Sequence, residues 1–509
     1  MFCFQCQEAC RNSGCTIVGM CSKKPETSAI MDEIICKLKE LAVSKKANAK
    51  YGPLICESLY LTLTNTNFDD ARLKKQLNEI CKLYPESGKI HPGVRRDADE
   101  DCNLLSELLI YGLKGIAAYT YHAHKLGFDD PNIYDFILRA LKASATEKSS
   151  ETLWEMVKEC GNCALKAMAL LDTAHTDTFG VPQPVPVKTG VRNNPAILIS
   201  GHDLADLYDL LKATENSGVD VYTHGEMLPA HAYPEFAKFS HLVGNYGSSW
   251  HHQHTDFANF NGPVVVTGNC LASIEESCRH RIFTTGAAGD EEVKHIPDAA
   301  PGKRKDFSSV IELARHLAPP SPVEDDFIIC GYGHDTLSRL APRIIEEVKC
   351  GNIKRFILMA GCDGRHKSRE YYTELARSLP SDTVILTAGC AKYRYNKLNL
   401  GEINGIPRVV DAGQCNDSYS LAIFALELKA AMKLDCVNKL PLSLDIAWFE
   451  QKAVAVLLAL LASGFRNIRL GPTLPAFISP GILKVLQDKY GLKPISSSSQ
   501  DMADMLNGA

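Results

Sequence analysis

Hydrophobic residues recur at helical spacing through the first third of the chain. Between residues 27 and 173 the apolar positions fall three or four residues apart, as at Ile30, Ile34 and Leu38. This period places the apolar side chains on one face of a helix. Because few β-branched runs interrupt it, the region is predicted to be a helical bundle.

The pattern changes near residue 190. A proline-rich stretch, 182–186, breaks any helix and is interpreted as a linker. Beyond it, short apolar runs alternate with amphipathic helices, which is typical of doubly wound α/β sheets. A second break, at 319–322, divides this half in two. The predicted strands cover 196–200, 219–222, 264–267, 327–330, 356–360, 383–387 and 408–411.

These patterns predict a multidomain α and α/β protein: an N-terminal helical bundle followed by two Rossmann-like α/β domains. We place the boundaries at 1–190 for a cysteine loop with its bundle, 191–322 for the first α/β domain and 323–509 for the second. At 509 residues, 45% of them hydrophobic, the chain has enough apolar material for several cores.

Composition and charge argue against several classes of partner and location. The net charge of −5 and the lack of a long basic run argue against nucleic acid or an anionic membrane as a partner. The longest strongly apolar run, 453–462, is too short to span a bilayer. A cysteine at position 3 leaves no room for a cleaved leader before it. We therefore expect a cytoplasmic protein with reduced thiols, and the long N-terminal half is compatible with a monomer.

Five of the 19 cysteines fall within the first 21 residues. Four of them, Cys3, Cys6, Cys15 and Cys21, are close enough in a glycine-containing loop to converge on one metal centre. Such loops hold zinc or iron–sulfur clusters. The second pair is spaced too widely for the usual zinc ribbon, which favours iron and sulfur. Cys10 is interpreted as a bystander, because four thiolates already satisfy a 4Fe-4S cluster.

The ends of the predicted strands repeat one sequence motif, in which an apolar strand is followed by a glycine and then by a potential ligand. In open α/β sheets ligands bind beyond the carboxyl ends of the strands, and glycine lets the backbone turn tightly there. One such cysteine is usually just a small buried hydrophobe, but four in the same context predict a site. The residues are His202, Glu226, Cys270, Cys362, Cys390 and Cys415.

Glu450 and Lys452 precede an apolar helix near the C-terminus. Residues two apart do not share a helix face. If both reach the same site, they lie in the opening turn of the helix, or one of them binds the metal and the other only orients it.

Together these segments resemble the hybrid-cluster proteins, also called prismane proteins or hydroxylamine reductases. The resemblance covers nearly the whole chain, and its order and spacing agree with the family. It rests on Ile-Ser-Gly-His202, Val-Tyr-Thr-His-Gly-Glu226, Gly-Asn-Cys270, Gly-Cys362-Asp-Gly, Gly-Gln-Cys415-Asn-Asp and Trp-Phe-Glu450-Gln-Lys452.

The resemblance implies a 4Fe-4S cluster on the four N-terminal cysteines and a hybrid 4Fe-2O-2S cluster between the domains. It implies that the hybrid cluster is held by His202, Glu226, Cys270, Cys362, Cys390, Cys415 and Glu450, with Lys452 beside it. Cys362 matches the position that carries a persulfide in the family. Catalytic roles are implied for Glu226, Cys362, Glu450 and Lys452.

The activity implied is the reduction of hydroxylamine to ammonia, fed by an external ferredoxin- or reductase-like electron donor. Reduction of nitric oxide to nitrous oxide, as in nitrosative stress, is the second candidate reaction. A nitric-oxide-responsive or S-nitrosylating interaction protein using the same cluster is the alternative from another class. The helical region between Cys21 and His202 looks shorter than in long bacterial members.

Three further motifs stay open at this point. Gly331-Tyr-Gly333-His-Asp-Thr336 nearly matches a dinucleotide fingerprint but has threonine for the third glycine. The pair Cys160 and Cys163 forms a CxxC in a helical run, for which a structural role is favoured over a redox role. The basic turn 365–369 suits either solvent or an acidic donor protein.

Overall fold

The computed structural model describes residues 1–84, 99–300 and 302–508. Its N-terminal part is helical and opens with the cysteine loop. Four of its helices begin where the side chain of Asp69, Asp99, Asp130 or Ser149 accepts a backbone N–H of the first turn. The helices are α1 (Pro25–Val43), α2 (Gly52–Leu61), α3 (Asp70–Leu83), α4 (Glu100–Lys125), α5 (Pro131–Thr146) and α6 (Ser150–Phe179), with a short strand β1 (Asn67–Phe68).

A first six-stranded sheet follows, and all of its strands run parallel. Its central strand is buried along its whole length, which explains a run of consecutive apolar residues without alternation. In sheet order the strands are β5 (Leu242–Asn245), β4 (Asp220–His224), β3 (Ala196–Gly201), β6 (Val264–Thr267), β7 (Ile282–Thr285) and β9 (Lys294–Ile296). They are accompanied by α7 (Leu204–Thr214), α8 (Gln253–Phe260), α9 (Glu276–Arg279) and α10 (Ser308–Arg315).

A second six-stranded parallel sheet has the order β15, β12, β11, β16, β17, β18. Its strands are β11 (Arg355–Gly361), β12 (Thr383–Thr387), β15 (Val409–Asp411), β16 (Leu442–Ala447), β17 (Ile468–Gly471) and β18 (Lys493–Pro494). The helices of this part are α11 (His334–Lys349), α12 (Glu370–Ser378), α13 (Ser418–Ala431), α14 (Gln451–Ala462), α15 (Pro480–Tyr490) and α16 (Ser498–Leu506).

The predicted fold class is confirmed, and one detail differs. The stretch interpreted as a linker contains β2 (Val185–Lys188), which pairs antiparallel with β10 (Phe327–Cys330). The run 327–330 is thus a strand, as predicted, but it lies outside both parallel sheets. This pair joins segments on either side of the first α/β region, and the domain boundaries themselves stay a prediction. The remaining short pairs are β1 with β8 (Gly289–Asp290) and β13 (Glu402–Ile403) with β14 (Ile406–Pro407).

Helix α14 is the most apolar helix of the C-terminal region and packs against α4 and α6 of the bundle. Glycines make this approach close: a Cβ on Gly161 would lie 2.2 Å from the carbonyl oxygen of Leu458, and one on Gly115 would lie 2.8 Å from that of Gln451. Burial against protein therefore accounts for its composition. No helix in the described ranges combines the length and apolar character needed to cross a bilayer.

Replacing Gly161 by alanine is expected to lower the free energy of unfolding by about 1–3 kcal/mol, although alanine is the better helix former. The new methyl group overlaps backbone of α14, which cannot move like a side chain. Urea denaturation measures the change. The control is Asn162→Ala, an exposed neighbour in the same helix; equal stability of the two variants would contradict the close approach.

Candidate metal centres at the cysteine loop and the strand ends

The N-terminal loop is closed by its own cysteines. The backbone N–H of Cys3 donates to the carbonyl of Cys15 at 3.0 Å, and the N–H of Cys15 donates back at 2.8 Å. Cys6 and Cys15 are buried, Cys3 and Cys21 are half-buried, and Cys10 is exposed. The four predicted ligands thus share the interior of one loop, while the predicted bystander faces outward.

Donors surround the sulfur atoms of this loop. Gln5 Nε2 lies 3.5 Å and Lys23 Nζ lies 3.6 Å from the Sγ of Cys3. The backbone nitrogen of Cys10 lies 3.5 Å from the Sγ of Cys15. Burial opposes ionisation of Cys3, but the Lys23 ammonium, hydrogen bonds from Gln5 and the Lys114 ammonium together outweigh burial, so the pKa of this thiol is lowered. Burial and the neighbouring cysteines raise the pKa of Cys6. Adjacent thiolates that repel one another need a cation between them, and this loop fits an iron–sulfur cluster.

The strand-end motif depends on backbone geometry that glycine alone adopts freely. Every glycine of the six motifs has positive φ, from +61° to +137°. The most crowded is Gly201, where a Cβ would lie 1.5 Å from the carbonyl oxygen of Thr267 on the adjacent strand. The six are Gly201, Gly225, Gly268, Gly361, Gly389 and Gly413.

His202, Glu226 and Cys415 come together although they lie in two different sheet regions. One ligand atom from each lies within 4.8 Å of the others. Nε2 of His202 is 3.9 Å from Oε2 of Glu226, which also accepts the backbone N–H of Cys415 at 2.8 Å. His202 Nδ1 and Glu226 Oε1 are buried without a hydrogen-bond partner. Such atoms are costly unless something binds them, so the residues fit a metal centre.

Burial shifts the pKa values of Glu226 and His202. Burial raises the pKa of Glu226, an effect that the ammonium groups of Lys392 and Lys452 partly offset. Burial and the charge of Lys452 hold the pKa of His202 well below its usual range. The imidazole is therefore neutral, which is the form that binds a metal.

The three other strand-end cysteines face the same interior. Each is buried, and burial raises the pKa of its thiol. Cys270 interacts electrostatically with Cys362 and Cys415, and Cys390 interacts with Glu226, Cys270 and Cys362. These three cysteines therefore lie within electrostatic range of one another and of the group formed by His202, Glu226 and Cys415.

Glu450 and Lys452 occupy the opening turn of α14. Glu450 is its N-cap, and its Oε2 accepts the backbone N–H of Lys452 at 2.6 Å. Nζ of Lys452 lies 3.7 Å from Oε1 of Glu450. Burial disfavours the Lys452 ammonium, but Cys415, Glu450 and Cys270 raise its pKa well above the usual value. A charged lysine is therefore held inside the site.

Asn269 is a site residue that the sequence motifs did not single out. Its Oδ1 accepts from Lys452 Nζ at 2.7 Å, and its Nδ2 donates to Glu450 Oε1 and Cys270 Sγ, both at 3.2 Å. Its place between a strand-end glycine and a cysteine was the only sequence signal. Lys392, which pairs with Asp411 at 2.5 Å and contributes to the charge around Glu226, was also missed.

We expect Asn269→Ala to lower activity by about 10- to 100-fold, the usual cost of losing a residue that orients metal-site groups. The alanine frees the Lys452 ammonium and the Glu450 carboxylate at once. Steady-state rates with iron content per chain measure the effect. Asn416→Ala is the matched control, because Asn416 is equally buried beside Cys415 but its side chain bonds Asp417; equal losses would contradict the bridging role.

The cysteine loop and the strand-end site are directly connected. The backbone N–H of Gln7 donates to the carbonyl of Phe449 at 2.9 Å, and Gln451 Nε2 donates to the carbonyl of Gln5 at 2.6 Å. In the sequence, Cys6 lies between Gln5 and Gln7, and Glu450 lies between Phe449 and Gln451. Two short hydrogen bonds therefore bracket one predicted ligand of each centre.

Arg369 makes a second connection. Its fully buried guanidinium donates to Gln7 Oε1 at 2.8 Å, to the carbonyl of Trp448 at 2.7 Å and to the carbonyl of Cys362 at 3.1 Å. One rigid planar cation thus fixes the loop against the ends of β11 and β16.

The three motifs left open now have a structural setting. Cys160 and Cys163 are buried in α6, and burial raises the pKa of Cys163 to about 12, which fits a structural role. Gly331 follows β10, which pairs antiparallel with β2, so this motif lacks the parallel βαβ unit of a dinucleotide site. In the basic turn, Arg365 pairs with Glu8 of the cysteine loop at 2.7 Å.

Comparison with known proteins places the chain. Residues 1–503 match the model of the Prismane/CO dehydrogenase family. The hydroxylamine reductase of Halothermothrix orenii is 48% identical, with 100% of each chain covered, and that of Chlorobaculum tepidum is 49% identical, again over 100% of each. The first alignment spans 554 positions, more than the 509 residues here, so that relative carries segments this chain lacks.

Solved structures agree on the fold. Carbon monoxide dehydrogenase IV from Carboxydothermus hydrogenoformans superposes with a TM-score of 0.59 at 14% identity, covering 99% of this chain and 92% of its own. The carbon monoxide dehydrogenase from Thermococcus sp. AM4 gives 0.58 at 14% identity, covering 99% and 90%. At this identity the likeness establishes architecture and leaves the reaction open. The full-length family match and the relatives near 50% identity show that the chain belongs to the Prismane/CO dehydrogenase family.

Proposed function

We propose that this protein is an iron–sulfur oxidoreductase that reduces hydroxylamine to ammonia. Hydroxylamine, two electrons and two protons give ammonia and water as the N–O bond breaks. The observation that carries the proposal is the buried group His202, Glu226 and Cys415, with its orphaned ligand atoms and the strand-end cysteines around it. Relatives named hydroxylamine reductase, identical at about half of all positions, support it.

The residues divide into two sets of ligands. Cys3, Cys6, Cys15 and Cys21 would hold a 4Fe-4S cluster, since four thiolates suit electron transfer. The strand-end set, with Glu450, would hold the hybrid 4Fe-2O-2S cluster. When bound, that cluster would supply iron that binds a small nitrogen–oxygen substrate and the electrons for its reduction, because carboxylate and imidazole suit oxo-bridged iron better than thiolate does.

Glu450 and Lys452 are the groups that would supply protons. Both are buried at the site, and Asn269 fixes the lysine Nζ and a glutamate Oε1 on its two amide atoms. A charged ammonium held in a dry site can donate a proton as the N–O bond breaks. Glu226, whose pKa is raised by burial, is a second carboxylate able to hold a proton there.

The electron path would run from the cysteine loop inward. The hydrogen bonds from Gln7 to Phe449 and from Gln451 to Gln5 connect the chain neighbours of Cys6 to the chain neighbours of Glu450. They support the loop cluster as the entry point for electrons from an external donor.

The test combines metal content with turnover. Protein purified without oxygen is expected to hold two clusters' worth of iron, with clearly less acid-labile sulfide than iron. It should form ammonia from hydroxylamine with reduced methyl viologen. Iron and sulfide in the amounts of a single 4Fe-4S cluster would contradict the proposed hybrid cluster. Full metal content without turnover of hydroxylamine or nitric oxide would favour a nitric-oxide-responsive interaction protein instead.

A further inference from the structure

The surface over the cysteine loop is unusually apolar. Among the described residues eight large hydrophobic side chains are strongly exposed, and four of them lie in this loop. They are Phe2, Ile17, Val18 and Met20, exposed by 55%, 80%, 52% and 50%. We call these four the loop face. A cluster of exposed apolar residues at one place marks a binding surface, whereas scattered ones do not.

The backbone of the loop face is held in place by hydrogen bonds. Three of its members lie between Cys15 and Cys21, and this segment is held by backbone hydrogen bonds from Gly19 to Lys23 at 2.9 Å and from Ser22 to Gly19 at 2.8 Å. Arg365 Nη2 donates to the carbonyl of Met20 at 2.7 Å. The apolar side chains are therefore presented to solvent by an ordered backbone.

Basic groups border the loop face on one side. An open cavity of about 490 Å³ adjoins Met20 and is lined among others by Cys10, Arg11, Arg365 and His366. Lys367 is exposed on the same turn. We call Arg11, Arg365, His366 and Lys367 the basic rim. Arg365 and Glu8 form an ion pair and neutralise each other, so the net positive charge of the rim comes from Arg11 and Lys367.

We propose that the loop face and the basic rim dock a small acidic iron–sulfur protein of the ferredoxin type, which delivers electrons to the cysteine loop. This rests on the proposed function. An apolar centre with a charged border is the anatomy of a protein interface, and electron-transfer encounters use small ones that charges steer. The cationic border selects an acidic partner, whereas a second copy of this chain would bring its own basic rim against it.

The experiment uses the cluster-loaded full chain and reverses two rim charges in R11E/K367E. Turnover of hydroxylamine is measured with a reduced bacterial ferredoxin and with reduced methyl viologen, and the affinity for oxidised ferredoxin is measured by calorimetry. The matched control is K45E/K489E, the same charge change at exposed lysines outside the rim. We expect the Kd and KM for ferredoxin to rise about tenfold in R11E/K367E at low salt, and the difference to shrink as salt screens the charges.

The outcomes separate this inference from the proposed function. Ferredoxin constants that are equal in R11E/K367E and K45E/K489E would overturn the docking surface even if methyl viologen supports full turnover. Wild-type protein that is inactive with methyl viologen would instead overturn the proposed function. I17S/V18S is a second variant, expected to weaken ferredoxin binding at high salt, where the rim no longer contributes. Loss of a dimer in I17S/V18S with unchanged ferredoxin affinity would assign the surface to a second copy and contradict the proposal.

Discussion

Replacing Glu226 by alanine is expected to lower hydroxylamine reduction by more than about 100-fold, because even a residue that only orients a metal ligand is worth about 10- to 100-fold. Glu226 contributes one oxygen to the group with His202 and Cys415 and has a second, unpartnered oxygen in the same interior. The loss removes a hard ligand and one of the two carboxylates able to hold a proton at the site. Steady-state ammonia formation measures the effect.

The same variant should keep the spectrum of the N-terminal cluster, since Glu226 is not part of the cysteine loop. The matched control is Glu40→Ala, another buried glutamate, which pairs with Lys37 within α1. Joint loss of both cluster signals in Glu226→Ala would point to misfolding. Retained activity would remove Glu226 from the site.

Gly201→Ala is expected to cost more than about 3 kcal/mol of the free energy of unfolding, since backbone strain of this kind alone costs about 1–3 kcal/mol. At φ +131° the glycine lies against β6, and a Cβ would lie 1.5 Å from the carbonyl oxygen of Thr267. That oxygen also accepts the N–H of His202 at 3.2 Å. The substitution therefore forces apart two central strands and displaces a predicted ligand.

Urea denaturation and iron per chain measure this effect together. Gly351→Ala is the control, because Gly351 also has positive φ, at +77°, but a Cβ there meets open space. We expect a cost of about 1–2 kcal/mol for the control, from the left-handed conformation alone. If Gly201→Ala were no less stable than Gly351→Ala, the close strand approach would be wrong.

Much of the fold was predictable because its signals are local. The helical period around Ile30, Ile34 and Leu38 predicts α1, and the apolar runs predict β3, β4, β6, β11, β12 and β15 to within two residues at either end. The edge strands β5, β9 and β18 were not predicted, and neither were the interior strands β7, β16 and β17. An edge strand has fewer buried positions, so its apolar signal is weaker than that of a central strand. In the interior strands β16 and β17, the buried polar residues Ser443, Asp445 and Arg469 interrupt the apolar run.

The candidate site was predictable for a related reason. Each strand-end glycine adopts its positive φ locally, and the predicted ligand follows it by one or two residues at the carboxyl end of a strand. The family resemblance then assigned roles to those positions. Asn269 was missed because it contacts Lys452, which lies 183 residues away, and Lys392 was missed because its charge acts on Glu226, which lies in the other sheet region.

The sequence by itself determined most of the elements, the class of fold and the set of candidate metal ligands, because periodicity, glycine and cysteine act within a few residues of where they stand. Tertiary structure alone decided that β10 pairs with β2 and that Gln5 and Gln7 bond the residues flanking Glu450. It also brought the basic turn at Arg365 beside the cysteine loop. These contacts join segments more than a hundred residues apart, and only the packing of the whole chain selects among such partners.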